Sequence, residues 1–207
     1  MAPRYKLSYF QLTGLGEPIR LLFHYGGIAF EDNRIPKDQW PAFKSGAPLE
    51  QLPLLEVDGK VLFQSIAITR YVAHIVGLDG KTALENSEID AVVDSVNDLR
   101  SKTLNWAYET DKAKKAQLAA ALFAEPFPFF LNKFESWASK NGGYLALGRL
   151  TWADIYAIAI LDFLGSIFKK NLIEGHPNLI KMRENVVSIP RIKAWIANRP
   201  KDVIQFD

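Results

Sequence analysis

Tyr9 closes an alternating segment, Tyr5 to Phe10, and precedes a loop that contains Gly14 and Gly16. A phenol in that position is suited to one kind of proton chemistry. With a pKa of about 10 it stays protonated at neutral pH, so it donates a hydrogen bond instead of competing for a proton. A thiol with a pKa of about 8.5 needs a shift of about 1.5 units, roughly 2 kcal/mol, to be half ionised at pH 7. One hydrogen bond donated to a thiolate is of that size, about 1.5–3 kcal/mol. The chain has no cysteine. It therefore has no protein thiol nucleophile, Cys-x-x-Cys pair, cysteine metal site or disulfide, and any sulfur chemistry comes from a ligand. A packed strand tyrosine has the same local signature, and spacing alone leaves both readings open.

A second candidate is Gln64-Ser65, where an apolar helix begins. A helix N-terminus carries unpaired N–H groups and partial positive charge, which seat a carboxylate; Ser65 as a plain N-cap is the alternative. Asp90, Asp94 and Asp98 stand at i, i+4, i+8 on one helical stripe. Such like charges repel by a few tenths of a kcal/mol per pair, and a solvated face or a functional surface would both fit them. Lys112, Lys114 and Lys115 read as a solvated helix face.

The elements that position these residues are legible in turn. Tyr5 to Phe10 reads as a strand, and Glu17-Pro18 opens a helix with proline in its first turn. Ile19, Leu22 and Phe23 form its apolar stripe, and Gly26-Gly27 stops it. Ala29 to Ile35 reads as a second strand, and Lys37 to Lys44 as a short helix with Trp40 and Phe43. Asp58-Gly59 between Leu54–Val57 and Lys60–Gln64 predicts a type I′ hairpin, because both central residues need positive φ. Ser65 then caps a helix striped by Ile68, Tyr71, Val72 and Ile75. The order is β-α-β-α-β-β-α over residues 1–77, a mixed sheet with helices on it.

Residues 78–82 form a linker, and 83–207 read as all-helical. Expected helices are Glu88 to Tyr108, Lys112 to Lys140 divided or kinked by Pro126 and Pro128, one launched by the capping box Thr151-Trp152-Ala153-Asp154 and running through Leu164, Pro177 to Val187, and Pro190 to Asn198. Hydrophobic residues make up 48% and charged residues 23% of the 207, enough to bury a globular core. A net charge of +2, with neither half strongly basic, argues against a nucleic-acid partner. No apolar leader or run of about 18 apolar residues is present, so no membrane partner is expected and the cytoplasm is the default location.

Several segments carry a resemblance: Tyr5-Lys6-Leu7-Ser8-Tyr9-Phe10, Gly16-Glu17-Pro18-Ile19-Arg20, Leu52-Pro53, Gln64-Ser65-Ile66-Ala67-Ile68 and Leu150-Thr151-Trp152-Ala153-Asp154. In this order, end to end, the chain resembles the cytosolic glutathione S-transferases. The likeness is greatest to the sigma class, which includes the prostaglandin D synthase-like branch. The resemblance implies a thioredoxin-like glutathione-binding domain, followed by an all-helical domain that contributes the electrophile pocket and a homodimer interface. It implies a detoxifying transferase with Tyr9 activating the thiol of reduced glutathione, which serves as co-substrate, for conjugation to hydrophobic electrophiles, with no tightly bound cofactor. Gln64 and Ser65 would hold the γ-glutamyl group, and Leu52, before a cis bond to Pro53, the cysteinyl backbone. Trp40, Lys44 and Gln51 would take the glycyl end. Asp98 would reach the γ-glutamyl ammonium in the other subunit, with Arg100 nearby. Phe10, Leu15, Trp106, Tyr108, Tyr156 and Ile160 match electrophile-pocket positions, and Phe10 also counts among the implied glutathione-binding residues. Two departures stand out. Glu50 sits where the pattern shows glycine, putting a negative charge near a bound carboxylate. Asn97 replaces one of the acids that hold a divalent ion in some sigma-class enzymes, so no metal is expected. The alternatives are a glutathione-dependent prostaglandin isomerase, which in the prostaglandin-type relatives carries arginine where Leu15 stands, and a non-enzymatic crystallin or ligand carrier.

Overall fold

A computed structural model describes residues 3–203. The elements run β1 (Tyr5–Phe10), α1 (Glu17–Gly26), β2 (Glu31–Ile35), α2 (Trp40–Lys44), β3 (Leu54–Val57), β4 (Lys60–Phe63) and α3 (Ser65–Ile75). They continue with α4 (Ala83–Lys102), α5 (Leu104–Tyr108), α6 (Lys112–Ala124), α7 (Pro126–Lys140), α8 (Trp152–Phe168), α9 (Pro177–Val187) and α10 (Pro190–Asn198). Two compact units result, one holding the described residues up to Asp79 and from Val187 on, the other Gly80–Val186.

The first unit is built on a four-stranded sheet in the order β2-β1-β3-β4. β1 is parallel to β2 and antiparallel to β3, and β3 pairs antiparallel with β4. Asp58 and Gly59 have φ of 47° and 87°, as the predicted hairpin turn requires. Leu7, Leu55, Ile19, Leu22, Phe23, Ile68 and Val72 are fully buried and form the core between the sheet, α1 and α3. Ile75, expected on the buried stripe of α3, is exposed; Thr69 and Ala73 face inward instead. Among these elements β2 begins at Glu31, two residues later than its expected start.

α10 packs in this unit, on α1, whereas residues 83–207 are expected as one helical part. Ile192 is fully buried, and Trp195 stacks on His24 of α1 with ring centroids 4.4 Å apart. An amphipathic helix must cover its apolar stripe, but the stripe does not say which surface will cover it.

In the second unit, α8 is buried at every residue from Trp152 to Leu161. The expected capping box starts it: the Thr151 N–H and Oγ1–H donate to Asp154 Oδ2 at 2.8 and 3.1 Å. Leu145 N–H donates to Asp154 Oδ1 at 2.7 Å, while burial pushes this carboxyl up to about 6. α8 runs on to Phe168. α4 starts earlier than expected, because Thr82 Oγ1 accepts from Glu85 N–H at 3.1 Å and caps it. It also ends earlier. The Thr103 hydroxyl donates to Arg100 O at 2.7 Å, a local bond that competes with the helix, and α5 is separate. Glu125 divides α6 from α7 just before Pro126, as the prolines predict.

Candidate active site

The sheet register assembles the candidate residues of the first unit in one row. Ser8 pairs with Leu54, and Leu54 with Phe63. The C-terminal end of β1, the N-terminal end of β3 and the C-terminal end of β4 therefore share one edge. Tyr9 stands in the last two residues of β1, Leu52 and Pro53 lie just before β3, and Gln64 and Ser65 just after β4. Strands lie about 4.8 Å apart, so the row is roughly 10 Å long. That is the length of an extended tripeptide at about 3.3 Å per residue.

Tyr9 is 7% exposed, and its hydroxyl oxygen accepts a hydrogen bond from the Leu15 backbone N–H at 3.0 Å. The bond fixes the oxygen and, by polarising the O–H, makes the phenol a stronger donor. The loop approaches closely enough to exclude side chains. A Cβ on Gly16 would lie 2.6 and 2.8 Å from Cδ1 and Cγ of the Tyr9 ring. One on Gly14, where φ is +41°, would lie 2.7 Å from the Tyr9 oxygen.

A buried charge network stands behind this loop. Arg20 is fully buried; its Nη1 donates to Leu12 O at 2.9 Å and lies 3.4 Å from Glu17, and its Nε donates to Asp32 at 2.9 Å. Its guanidinium carbon is 5.8 Å from the Tyr9 ring centroid. Glu17, also buried, accepts from Trp195 Nε1 at 2.8 Å and Arg199 Nη1 at 2.7 Å. Buried ions need this degree of pairing, and removal of one partner leaves an uncompensated charge. The Leu15 N–H and the Glu17 cluster were not candidates on sequence grounds. The i, i+3 spacing of Glu17 and Arg20 was the one available signal, and Trp195 and Arg199 gave none.

Gln64 has φ 73° and ψ 113°, so the chain turns sharply between β4 and α3. This corrects one expectation: Gln64 occupies the N-cap position, and Ser65 is the first helical residue. β4 ends at Phe63, which leaves a single residue to redirect the chain. A non-glycine residue in that region is strained, and such strain gathers at functional sites. The first-turn N–H groups of α3 have no intrahelical acceptors and mark its positive end. The Leu52-Pro53 bond is cis.

Aromatic rings connect Tyr9 with α2. Phe10 lies edge-on to Tyr9 at 5.7 Å and edge-on to Trp40 at 5.3 Å. Lys44, at the end of α2, and Gln51 are both exposed. Glu50 is also exposed and pairs with Lys44 at 3.2 Å. Leu49 and Glu50 have φ of 57° and 49°. The glycine expected at position 50 therefore has a physical reason: the turn needs left-handed backbone there.

The remaining candidates belong to the helical unit. On α4 the acids Asp94 and Asp98 are exposed, away from the buried Ile89, Val92, Val93, Val96 and Leu99. Arg100 Nε donates to Asn97 Oδ1 at 2.9 Å, and its Nη2 donates to Ser101 Oγ at 3.3 Å. Trp106, Tyr156 and Ile160 are buried, whereas Tyr108 is 81% exposed. Among the described residues no helix is long and apolar enough to cross a membrane. No group of three or more His, Asp or Glu side chains among them is gathered in a way that could hold a metal ion.

Residues 5–74 match the family model for the glutathione S-transferase N-terminal domain, and residues 97–199 the model for the C-terminal domain. A glutathione S-transferase of Anopheles gambiae is 46% identical over 198 residues, covering 96% of this chain and 98% of that protein. Human hematopoietic prostaglandin D synthase is 38% identical over 200 residues, with the same coverage. Among solved structures, prostaglandin synthase D of Nilaparvata lugens superposes with a TM-score of 0.92 at 46% identity, covering 95% of this chain and 98% of that one. A sheet edge of tripeptide length, with a phenol held at one end and a helix N-terminus at the other, is thus found in a chain that belongs to the glutathione S-transferase family.

Proposed function

We propose that this glutathione transferase ionises the thiol of reduced glutathione with the Tyr9 hydroxyl and transfers the sulfur to hydrophobic electrophiles. The carrying observation is the 3.0 Å bond from Leu15 N–H to the Tyr9 oxygen, which aims the phenol from the end of β1. In this reading the thiol proton leaves to solvent, and the Tyr9 O–H donates to the thiolate left behind. The sulfur lone pair forms a C–S bond to an electrophilic carbon, and the electron pair of the bond that breaks departs with the leaving group.

The tripeptide lies along the sheet edge. Gln64, Ser65 and the α3 N-terminus take the γ-glutamyl carboxylate, and the Leu52 backbone before Pro53 pairs with the cysteinyl unit as an added strand would. Trp40, Lys44 and Gln51 take the glycyl end, with Phe10 packed on Trp40. The protein works as a sigma-class homodimer in the cytoplasm, with Asp98 of a second copy meeting the γ-glutamyl ammonium. Its task is detoxification, and glutathione is consumed as co-substrate with no resident cofactor.

The Tyr9→Phe variant tests this. Its turnover of a generic aryl halide should fall by about 10- to 100-fold, the size of one charge-assisted bond of about 1.5–3 kcal/mol. Binding to immobilised glutathione should persist. Unchanged turnover would remove Tyr9 from the chemistry.

A second reading, a glutathione-dependent isomerase of prostaglandins, is favoured by the relatives named prostaglandin D synthase. The arginine that the prostaglandin-type relatives carry is replaced here by Leu15, which argues for the broader transferase. Product analysis with a prostaglandin endoperoxide as the only electrophile separates the two.

A further inference from the structure

We propose that Asp202, in the segment that follows α10, is a positioning residue that holds the Tyr9 loop and so tunes the ionisation of the bound thiol. This rests on the reading of Tyr9 given above. The turn that carries the Leu15 N–H is Gly14-Leu15-Gly16, flanked by Thr13 and Glu17. Two of its three residues are glycines, whose backbone is pliable unless held.

It is held at both flanks by α10 and the segment that follows it. On one side, the Asp202 carboxylate accepts both donors of Thr13, the backbone N–H and the Oγ1–H, each at 2.7 Å. On the other, Glu17 accepts from Trp195 and Arg199 at 2.8 and 2.7 Å. Val203 N–H adds a bond to Gln11 O at 2.9 Å, and Glu17 N–H bonds Thr13 O at 3.0 Å across the turn. Between these anchors lies the donor that fixes the Tyr9 oxygen.

Loss of the Asp202 anchor removes both bonds to Thr13, leaving the turn tied at Glu17 and, farther from the Leu15 N–H, at Gln11 and Leu12. The Leu15 N–H then wanders, and the phenol loses its aim at the sulfur. Hydrogen bonds weaken steeply as angles close and distances open, so a shift well below 1 Å is enough to be read in the thiol. Both carboxylate oxygens of Asp202 bond Thr13, which is not among the residues assigned to glutathione, so docking of the tripeptide is not where the effect falls.

The readout is a pH titration of the bound thiolate, by its ultraviolet absorbance, with the full-length protein saturated with glutathione. Asp202→Ala should raise the apparent thiol pKa by about half a unit to one unit, cutting the thiolate at lower pH by about threefold to tenfold. The KM for glutathione should stay within about twofold. Asp202→Asn, which keeps one carbonyl oxygen for the Thr13 N–H, should fall between the two. Thr13→Ser, which keeps both donors, should match the parent. An unmoved thiol pKa in Asp202→Ala overturns the proposal, whether or not the melting temperature drops, because it would show a purely structural tie. Tyr9→Phe in the same titration isolates the underlying reading. If it leaves the thiol pKa unmoved, the Tyr9 assignment fails, and the assignment of Asp202 with it. If it moves the pKa and Asp202→Ala does not, only the positioning role falls.

Discussion

Lys44 Nζ lies 3.2 Å from Glu50 Oε2, so the cation expected to receive the glycyl carboxylate already has an anionic neighbour. Both side chains are largely exposed, and such pairs contribute about 0.2–1 kcal/mol. A glutathione carboxylate reaching Lys44 must displace or share with Glu50. Glu50→Gln should therefore lower the glutathione KM by up to about fivefold, with little change in stability. Glu50→Gly should do the same and also raise stability by about 1 kcal/mol, because the left-handed conformation at φ 49° ceases to clash with a Cβ. Steady-state kinetics and denaturant melts on the two variants separate the charge from the backbone.

Gly16→Ala places a methyl group 2.6 Å from a ring carbon of Tyr9. The ring is buried and cannot swing aside freely, so the phenol must shift. Overpacking of this kind costs about 1–3 kcal/mol in stability. A misplaced catalytic group can lose about 100-fold in rate. The variant should bind glutathione-agarose yet turn over aryl halide at least tenfold more slowly, a ratio read directly from kcat.

Glu135 on α7 offers a pH test of the helical unit. Its carboxylate accepts from the Asn178 N–H, the Asn178 side-chain amide at 2.6 Å and the Leu179 N–H at 3.0 Å, at the start of α9. Burial works against ionisation, but these bonds outweigh it, and the pKa lies below the ordinary carboxylate value of 4.5. With a folded-state pKa that is depressed, the unfolded chain binds the proton first. Stability from this group is present above about 4.5 and is lost as pH falls through the lower folded value. Glu135→Gln should cost about 1–2 kcal/mol at pH 7, with the gap to the parent narrowing toward pH 3, measured by urea unfolding.

Asp98 stands exposed on α4. If a second copy carries it to the γ-glutamyl ammonium, Asp98→Asn should raise the glutathione KM about fivefold, the weight of about 1 kcal/mol. The thiol pKa should not move. Sedimentation of the parent as a dimer is the companion measurement, and a monomer would remove Asp98 from the site.

Much of the architecture follows from local sequence. Asp58-Gly59 determined the hairpin, Pro126 the division of α6 from α7, and Thr151 with Asp154 the start of α8. Each depends on φ restrictions, missing donors or capping groups within a few residues, which the chain carries wherever it goes. Tyr9, Leu52 and Gln64 stand in the motifs that carry the family resemblance, and they form one row only through the β1-β3-β4 register. The N-cap at Gln64, the Leu15 N–H aimed at Tyr9, and the bonds of Glu17 to Trp195 and Arg199 were decided by tertiary structure alone. So was the bond between Thr13 and Asp202, which are 189 positions apart. Local preference has no term for partners at that distance; they meet because α10 buries its apolar face on α1 and brings the following segment to the loop.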